Sequence, residues 1–193
     1  MQSLSIIREE HHAIASMLQG LSALVRGTRE SALPPNFGLL HAMLYYVESF
    51  PERLHHPKEE QWLFRLLALR HPPARPLLDL LCEQHQIGTW RLALVKERLH
   101  AYEQQGASAF ADFASAVDDF VAFEREHMGR EEREAFPLAQ QHLTDDDWEE
   151  IDEAFAAQAD PLQGVATDDG FADLHARLER LPVADRPDRP RKT

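Results

Sequence analysis

The chain has 193 residues, 44% of them hydrophobic, and a formal net charge of −13. That length suits one domain with a full core plus some extra chain, and the acidic balance excludes nucleic acid and anionic membranes as natural partners. A single cysteine, Cys82, excludes an intrachain disulfide and fits a reducing cytoplasm. The N-terminus has no signal-peptide core, and no stretch nears the roughly 18 apolar residues that cross a bilayer.

Long segments rich in Leu, Ala, Glu and Arg, with no β-branched alternation and only 8 glycines, predict an all-α protein. The first helix is expected from Leu4 to Val25, on an apolar stripe of Ile7, Ile14, Leu18, Leu21 and Val25, with Gly27 near its C-cap. The second is expected from Phe37 to Arg70 with Pro51 and Pro57 inside it, where a missing N–H predicts kinks. The third runs from Leu77 to Glu103, and the fourth from Phe110 to Gln141. A short helix follows Thr144, a plausible N-cap with acidic residues in the first turn behind it. A further helical segment is expected over 171–181, then a frayed basic tail. Four long helices joined by short loops make an antiparallel up-down-up-down bundle, with the additional short C-terminal helix outside it. Residues 1–157 are the expected domain and 158–193 a partly helical extension ending in a flexible Pro/Arg tail.

An internal repeat carries the chemistry. "HHPKEEQWLF" at 55–64 aligns with "HMGREEREAF" at 127–136, an offset of 127 − 55 = 72. "EHHAI" at 10–14 aligns more loosely with "QHQIG" at 84–88, an offset of 85 − 11 = 74. The chain therefore reads as two helical hairpins, each with one histidine on its first helix and His-x-x-x-Glu on its second. Residues at i and i+4 share a helical face, so His55 with Glu59, and His127 with Glu131, each present an imidazole and a carboxylate to one point. His11 lies on the apolar face of the first helix, whereas His12 faces solvent. His85 lies on the face of the third, and Gly88 one turn on leaves room for a ligand or metal. The expected metal site is His11, His55, Glu59, His85, His127 and Glu131, a nitrogen and oxygen set that suits iron or manganese and lets carboxylates bridge two ions. His56 aligns with Met128 and is read with Glu60 as a neighbour at the rim. Glu132 and Tyr45 are further neighbours or alternative ligands. Cys82 is read as an inert packed thiol. A rival set uses Glu52 and Glu124, whose Glu-x-x-His spacing matches ferritin-like di-iron bundles.

These motifs resemble the hemerythrin-like, or HHE cation-binding, family over about residues 4–157. The resemblance implies a four-helix bundle around a non-haem di-iron centre bridged by carboxylates and an oxo or hydroxo group, held by the six residues above, with Mn or Zn as other occupants. The chain departs from the oxygen carriers of the family: the place of their second helix-three histidine is Thr89, and the helix-four carboxylate follows its histidine by four residues rather than five. The pattern is more similar to hemerythrin-like proteins implicated in iron-centre repair and nitric oxide handling. The expected function is binding or sensing of O2, NO or peroxide, or a part in iron handling and stress response. The alternatives are a di-iron redox enzyme (peroxide or NO reduction, oxidase) and a bundle that binds another metal.

Overall fold

The computed structural model of the protein describes residues 2–30 and 35–156. The described residues are almost entirely helical and include no strand. The segment expected to be helical at 171–181 and the basic tail lie outside them.

Helix α1 spans Ser3–Glu30 and α2 covers 37–70. Helix α3 spans Arg75–Gln105, α4 covers 110–142, and α5 spans Asp145–Ala156. Helix α1 runs past its expected end at Val25 and straight through Gly27, and Thr28 Oγ1 ties the last turns to the Leu24 carbonyl. Asn36 caps α2 by accepting from the Leu39 N–H at 3.0 Å. Helix α3 starts one residue before Pro76 and stops at Gly106, whose φ of 66° is the left-handed conformation that suits glycine. Thr144 and Asp147 cap α5 reciprocally: Thr144 Oγ1 accepts from the Asp147 N–H, and Asp147 Oδ2 accepts from the Thr144 N–H.

Helix α2 is not α-helical throughout. Glu48–His55 and Glu59–Phe64 are π-helical, and so is Glu131–Ala135 in α4. The wider π turn places bonded residues five apart. It accommodates Pro51, which has no N–H to donate, and the His56 N–H bonds the Pro51 carbonyl across five residues. All three π stretches lie on or beside the His-x-x-x-Glu repeats.

The buried apolar residues form two clusters. One joins Ile14 to Val25, Leu39 to Phe50, Leu92 to Tyr102 and Phe113 to Met128. The other joins Leu4 and Ile7, Leu63 to Leu67, Leu78 and Leu81, and Ala135 to Ala139, with Trp148, Ile151 and Phe155 of α5. On each long helix a short polar stretch separates the two: His11, 55–59, 84–85 and 124–131. The helices thus stack an apolar core, a polar layer and a second apolar core. Helix α5 closes the second core against α1 and the second π stretch of α2. Its Asp152 accepts from the N–H groups of Gln2 and Ser3, which satisfies the start of α1.

Candidate metal centre

Glu59 and Glu131, both fully buried, occupy the middle of the polar layer. Glu59 oxygens lie 3.7 Å from His11 Nε2, 3.5 Å from His55 Nε2 and 3.7 Å from His85 Nε2. Glu131 oxygens lie 3.3 Å from His11 Nε2, 3.5 Å from His85 Nε2 and 3.2 Å from His127 Nε2. Each carboxylate therefore faces imidazoles from both sequence hairpins. The six residues expected from the repeat come together around one point of the fold.

Their outward nitrogens are held in a pattern that repeats across the two hairpins. His11 Nδ1 donates to Glu132 at 2.9 Å, and His85 Nδ1 donates to Glu60 at 2.7 Å. His55 Nδ1 donates to Glu10 at 2.7 Å, and His127 Nδ1 to Gln84 Oε1 at 3.2 Å. A carboxylate or amide oxygen only accepts, so Nδ1 carries a proton and Nε2 points inward, with its lone pair available whenever the ring is neutral. The phenylalanines of the repeat complete the symmetry. Phe136 stacks on His11 with centroids 5.8 Å apart, and Phe64 stacks on His85 at 5.9 Å. The second glutamate and the phenylalanine of each repeat thus clamp the lone histidine of the other hairpin.

The inward atoms have no such partners. His11, His85 and His127 Nε2 and both oxygens of Glu59 and Glu131 are buried without a hydrogen bond. Unsatisfied polar atoms at this density are costly unless something binds them together. Two triads, His11–His55–Glu59 and Glu59–His85–Glu131, each bring one ligand atom per residue to within 4.8 Å of the others. A mixed imidazole and carboxylate set of this kind accepts a divalent cation, so the residues fit the metal that the repeat implies.

Electrostatics point the same way. Burial opposes charge on His11, yet Glu131, Glu132 and Glu59 hold it well above the ordinary histidine range. His85 is pushed up to about 10, with Glu131 and Glu60 outweighing desolvation. Burial dominates at His55 and lowers it to about 4. Burial opposes charge on Glu131 too, but His127, His11 and His85 hold its carboxyl well below the usual range. Two buried carboxylates demand positive charge among them; protons on His11 and His85 meet that demand, and a divalent cation would meet it equally.

The structure differs from the sequence reading at His56 and Gly88 and adds Glu10 to the layer. His56, expected at the rim, is buried at 5% exposure, with its ring stacked on His85 at 4.1 Å and edge-on to His127 at 5.5 Å. The π-helical register turns it inward beside His55, which i, i+4 counting does not anticipate. Glu10, to which the repeat assigned no role, is 2% exposed and bonds both His55 and the buried Lys58, whose Nζ is 2.9 Å from Glu10 Oε1. The signal was available in Lys58, a buried cation on the same stretch as His55. The room at Gly88 is taken by Glu124: a Cβ there would sit 2.7 Å from Glu124 Oε1.

Glu52 and Glu124, the rival ligands, lie on that α3 side of the layer. Thr89 Oγ1 donates to Glu52 Oε2, and the Oε1 atoms of both glutamates are buried without a partner. Burial pushes the Glu124 carboxyl up to about 7. Neither joins a metal-sized cluster among the described residues. A surface cleft of about 250 Å³ reaches Glu52 and Thr89 between α2 and α3. Tyr45 is half-buried and packs on the first apolar core. Cys82 is half-buried, and burial pushes its thiol up to about 11, which makes it a poor nucleophile.

Among known families, the model described as "Hemerythrin HHE cation binding domain" matches residues 2–139. No curated protein and no solved structure gives a significant match. Among the described residues, no helix is long and apolar enough to cross a membrane.

Proposed function

The chain belongs to the hemerythrin HHE cation-binding domain family, and we propose that it is a non-haem di-iron protein that binds or senses O2, NO or peroxide, built as an antiparallel up-down-up-down bundle. His11 and His55 would hold one iron and His85 and His127 the other, with Glu59 and Glu131 shared between them, and the pair would supply redox chemistry to a small ligand. The observation that carries this reading is the set of seven inward atoms on these residues that are buried and unpaired. The ligand chemistry supports iron, since imidazoles and carboxylates together suit a redox-active hard-to-borderline ion, with Mn or Zn as the other occupants such a set accepts.

The chain's own groups set the conditions for that chemistry. Phe64 and Phe136 stack over His85 and His11 and exclude water from the inner faces. Glu10, Glu60, Glu132 and Gln84 fix the imidazole tautomers, which raises ligand basicity where the partner is a carboxylate. A cytoplasmic setting is part of the proposal, argued from the lone, poorly reactive cysteine.

A second reading, a redox enzyme reducing peroxide or NO, is favoured by the unpaired buried carboxyl oxygens of Glu52 and Glu124, which lie close enough to His85 and His127 to feel their charge and would serve there as proton carriers. Adding O2, NO or peroxide to anaerobically purified ferrous protein tests both. A stoichiometric, stable spectral change supports binding or sensing. Steady turnover with a reductant supports the enzyme. No spectral response to any of the three overturns both.

A further inference from the structure

The two hairpins match at their His-x-x-x-Glu ligands and at the glutamate and phenylalanine that clamp the opposite histidine, but they differ at the residue after the first of these histidines. His56 stands where the repeat places Met128, and both are buried against the polar layer. His56, His85 and His127 each bring one nitrogen to within 4.8 Å of the others. Among the described residues, the group around His11 and His55 is completed by Glu59 with no third imidazole, and the sequence counterpart of His56, Met128, packs in the first apolar core. On α3, the residue one turn after His85 is Thr89. Its hydroxyl is committed to Glu52 and to the His85 carbonyl, so it offers that metal nothing.

We propose that His56 is a third imidazole ligand for the metal held by His85 and His127, supplied by α2 at the place α3 leaves empty-handed. The inference rests on the di-metal reading and deepens it: the pair becomes unequal, with two imidazoles on one ion and three on the other.

Two observations support the assignment. The four other histidines each have Nδ1 held by a glutamate or glutamine, whereas His56 Nδ1 is buried with no partner at all. A buried imidazole with an unheld nitrogen beside two ligand histidines has an unmet need that a shared ion satisfies. The present ring plane is 8° from that of His85. A metal lies in the plane of every imidazole that binds it, so His56 must turn about Cβ–Cγ to join His85 on one ion. Its unheld Nδ1 leaves it free to do so. The same freedom makes it the ligand most readily displaced by an incoming small molecule.

The full chain, loaded anaerobically with Co(II), provides the test. Proton NMR counts the hyperfine-shifted, solvent-exchangeable imidazole N–H resonances, one for each histidine bound. With about two cobalt ions per chain, the expected number is about five in the wild type and one fewer in His56→Gln. Free imidazole added to His56→Gln restores the visible ligand-field band of one cobalt and leaves the other unchanged. Four resonances in the wild type, or the same count in wild type and His56→Gln, overturn the proposal. The wild-type count decides the matter even if the variant does not fold. Failure of the wild type to take up two cobalt ions is a different result, and it overturns the di-metal reading itself.

Discussion

Glu10 Oε2 accepts from His55 Nδ1 at 2.7 Å while its other oxygen holds the buried ammonium of Lys58 at 2.9 Å. Lys58 in turn lies 4.6 Å above the Phe155 ring of α5. A chain of contacts therefore runs from the last described helix, through one ion pair, to a histidine of the polar layer. The matching position in the other hairpin is the neutral Gln84. His55 is thus backed by a charged acceptor and His127 by an amide.

Replacing Glu10 by Gln keeps the shape but removes the charge that backs His55. Partners of this kind are worth roughly 10- to 100-fold in metal affinity. Chelator competition on Glu10→Gln is expected to show a loss in that range for one of two metals. The reverse change, Gln84→Glu, is expected to tighten the other. Equal affinities in all three proteins would show that the outer partners do not tune the site.

Breaking the Glu10–Lys58 pair from the other side leaves a buried carboxylate without its cation. Such losses cost about 3–5 kcal/mol. Urea denaturation of Lys58→Met should show destabilisation near that size, and Lys58→Met combined with Glu10→Gln should recover part of it. No recovery in the double variant would mean that the two side chains act independently.

Much of this was legible in the chain. The 72-residue offset pointed to His55, Glu59, His127 and Glu131, which the fold brings together, and face counting separated the buried His11 from the exposed His12. The start of the second helix, the cap at Thr144 and the long third helix followed from local signals. What counting missed follows from two physical causes. The π-helical stretches change the angle per residue around His56, which is buried, as is the Met128 whose alignment had assigned it to the rim. Side chains that act across helices, such as Glu60 on His85 and Glu132 on His11, are set by tertiary packing that a single helix's pattern does not encode. Gly27 misled for a simpler reason: a glycine near a helix end permits a cap but does not require one.

The two carboxylate sets make opposite predictions. Glu59→Gln removes a group that faces three imidazoles and is expected to lower bound metal below two per chain. Glu52→Gln, at a residue bonded to Thr89, is expected to leave the metal content unchanged. Elemental analysis of both variants separates the sets, and the reverse pattern would support the ferritin-like one.

Gly88 is expected to tolerate no side chain. The Cβ of Gly88→Ala would meet Glu124 Oε1 at 2.7 Å, and that carboxyl is 4% exposed with the α3 backbone in front of it. Overpacking of this kind costs about 1–3 kcal/mol. Thermal melting of Gly88→Ala should fall accordingly, and Gly88→Ala with Glu124→Ala should melt higher than Gly88→Ala alone. A Gly88→Ala melt equal to wild type would mean that Glu124 moves away without cost.

The Thr144–Asp147 cap gives a pH dependence. The hydrogen bond from Arg70 and those from Thr144 lower the Asp147 carboxyl from 3.8 to about 2. A depressed folded value means that its stabilisation is fully present above about 4 and is lost as pH falls toward 2. Asp147→Asn is expected to cost about 1 kcal/mol at neutral pH, because the Arg70 partner is partly exposed. The difference from wild type should vanish by about pH 2. A difference that stays constant down to that pH would place the effect in packing rather than charge.

The central claim is that the polar layer holds a pair of irons, and iron content is its most direct test. Full-length protein purified anaerobically from iron-replete cells is expected to carry about two irons per chain, falling below two in His85→Ala. A wild-type protein that binds no iron after anaerobic loading, or a His85→Ala variant that retains the full amount, would contradict it.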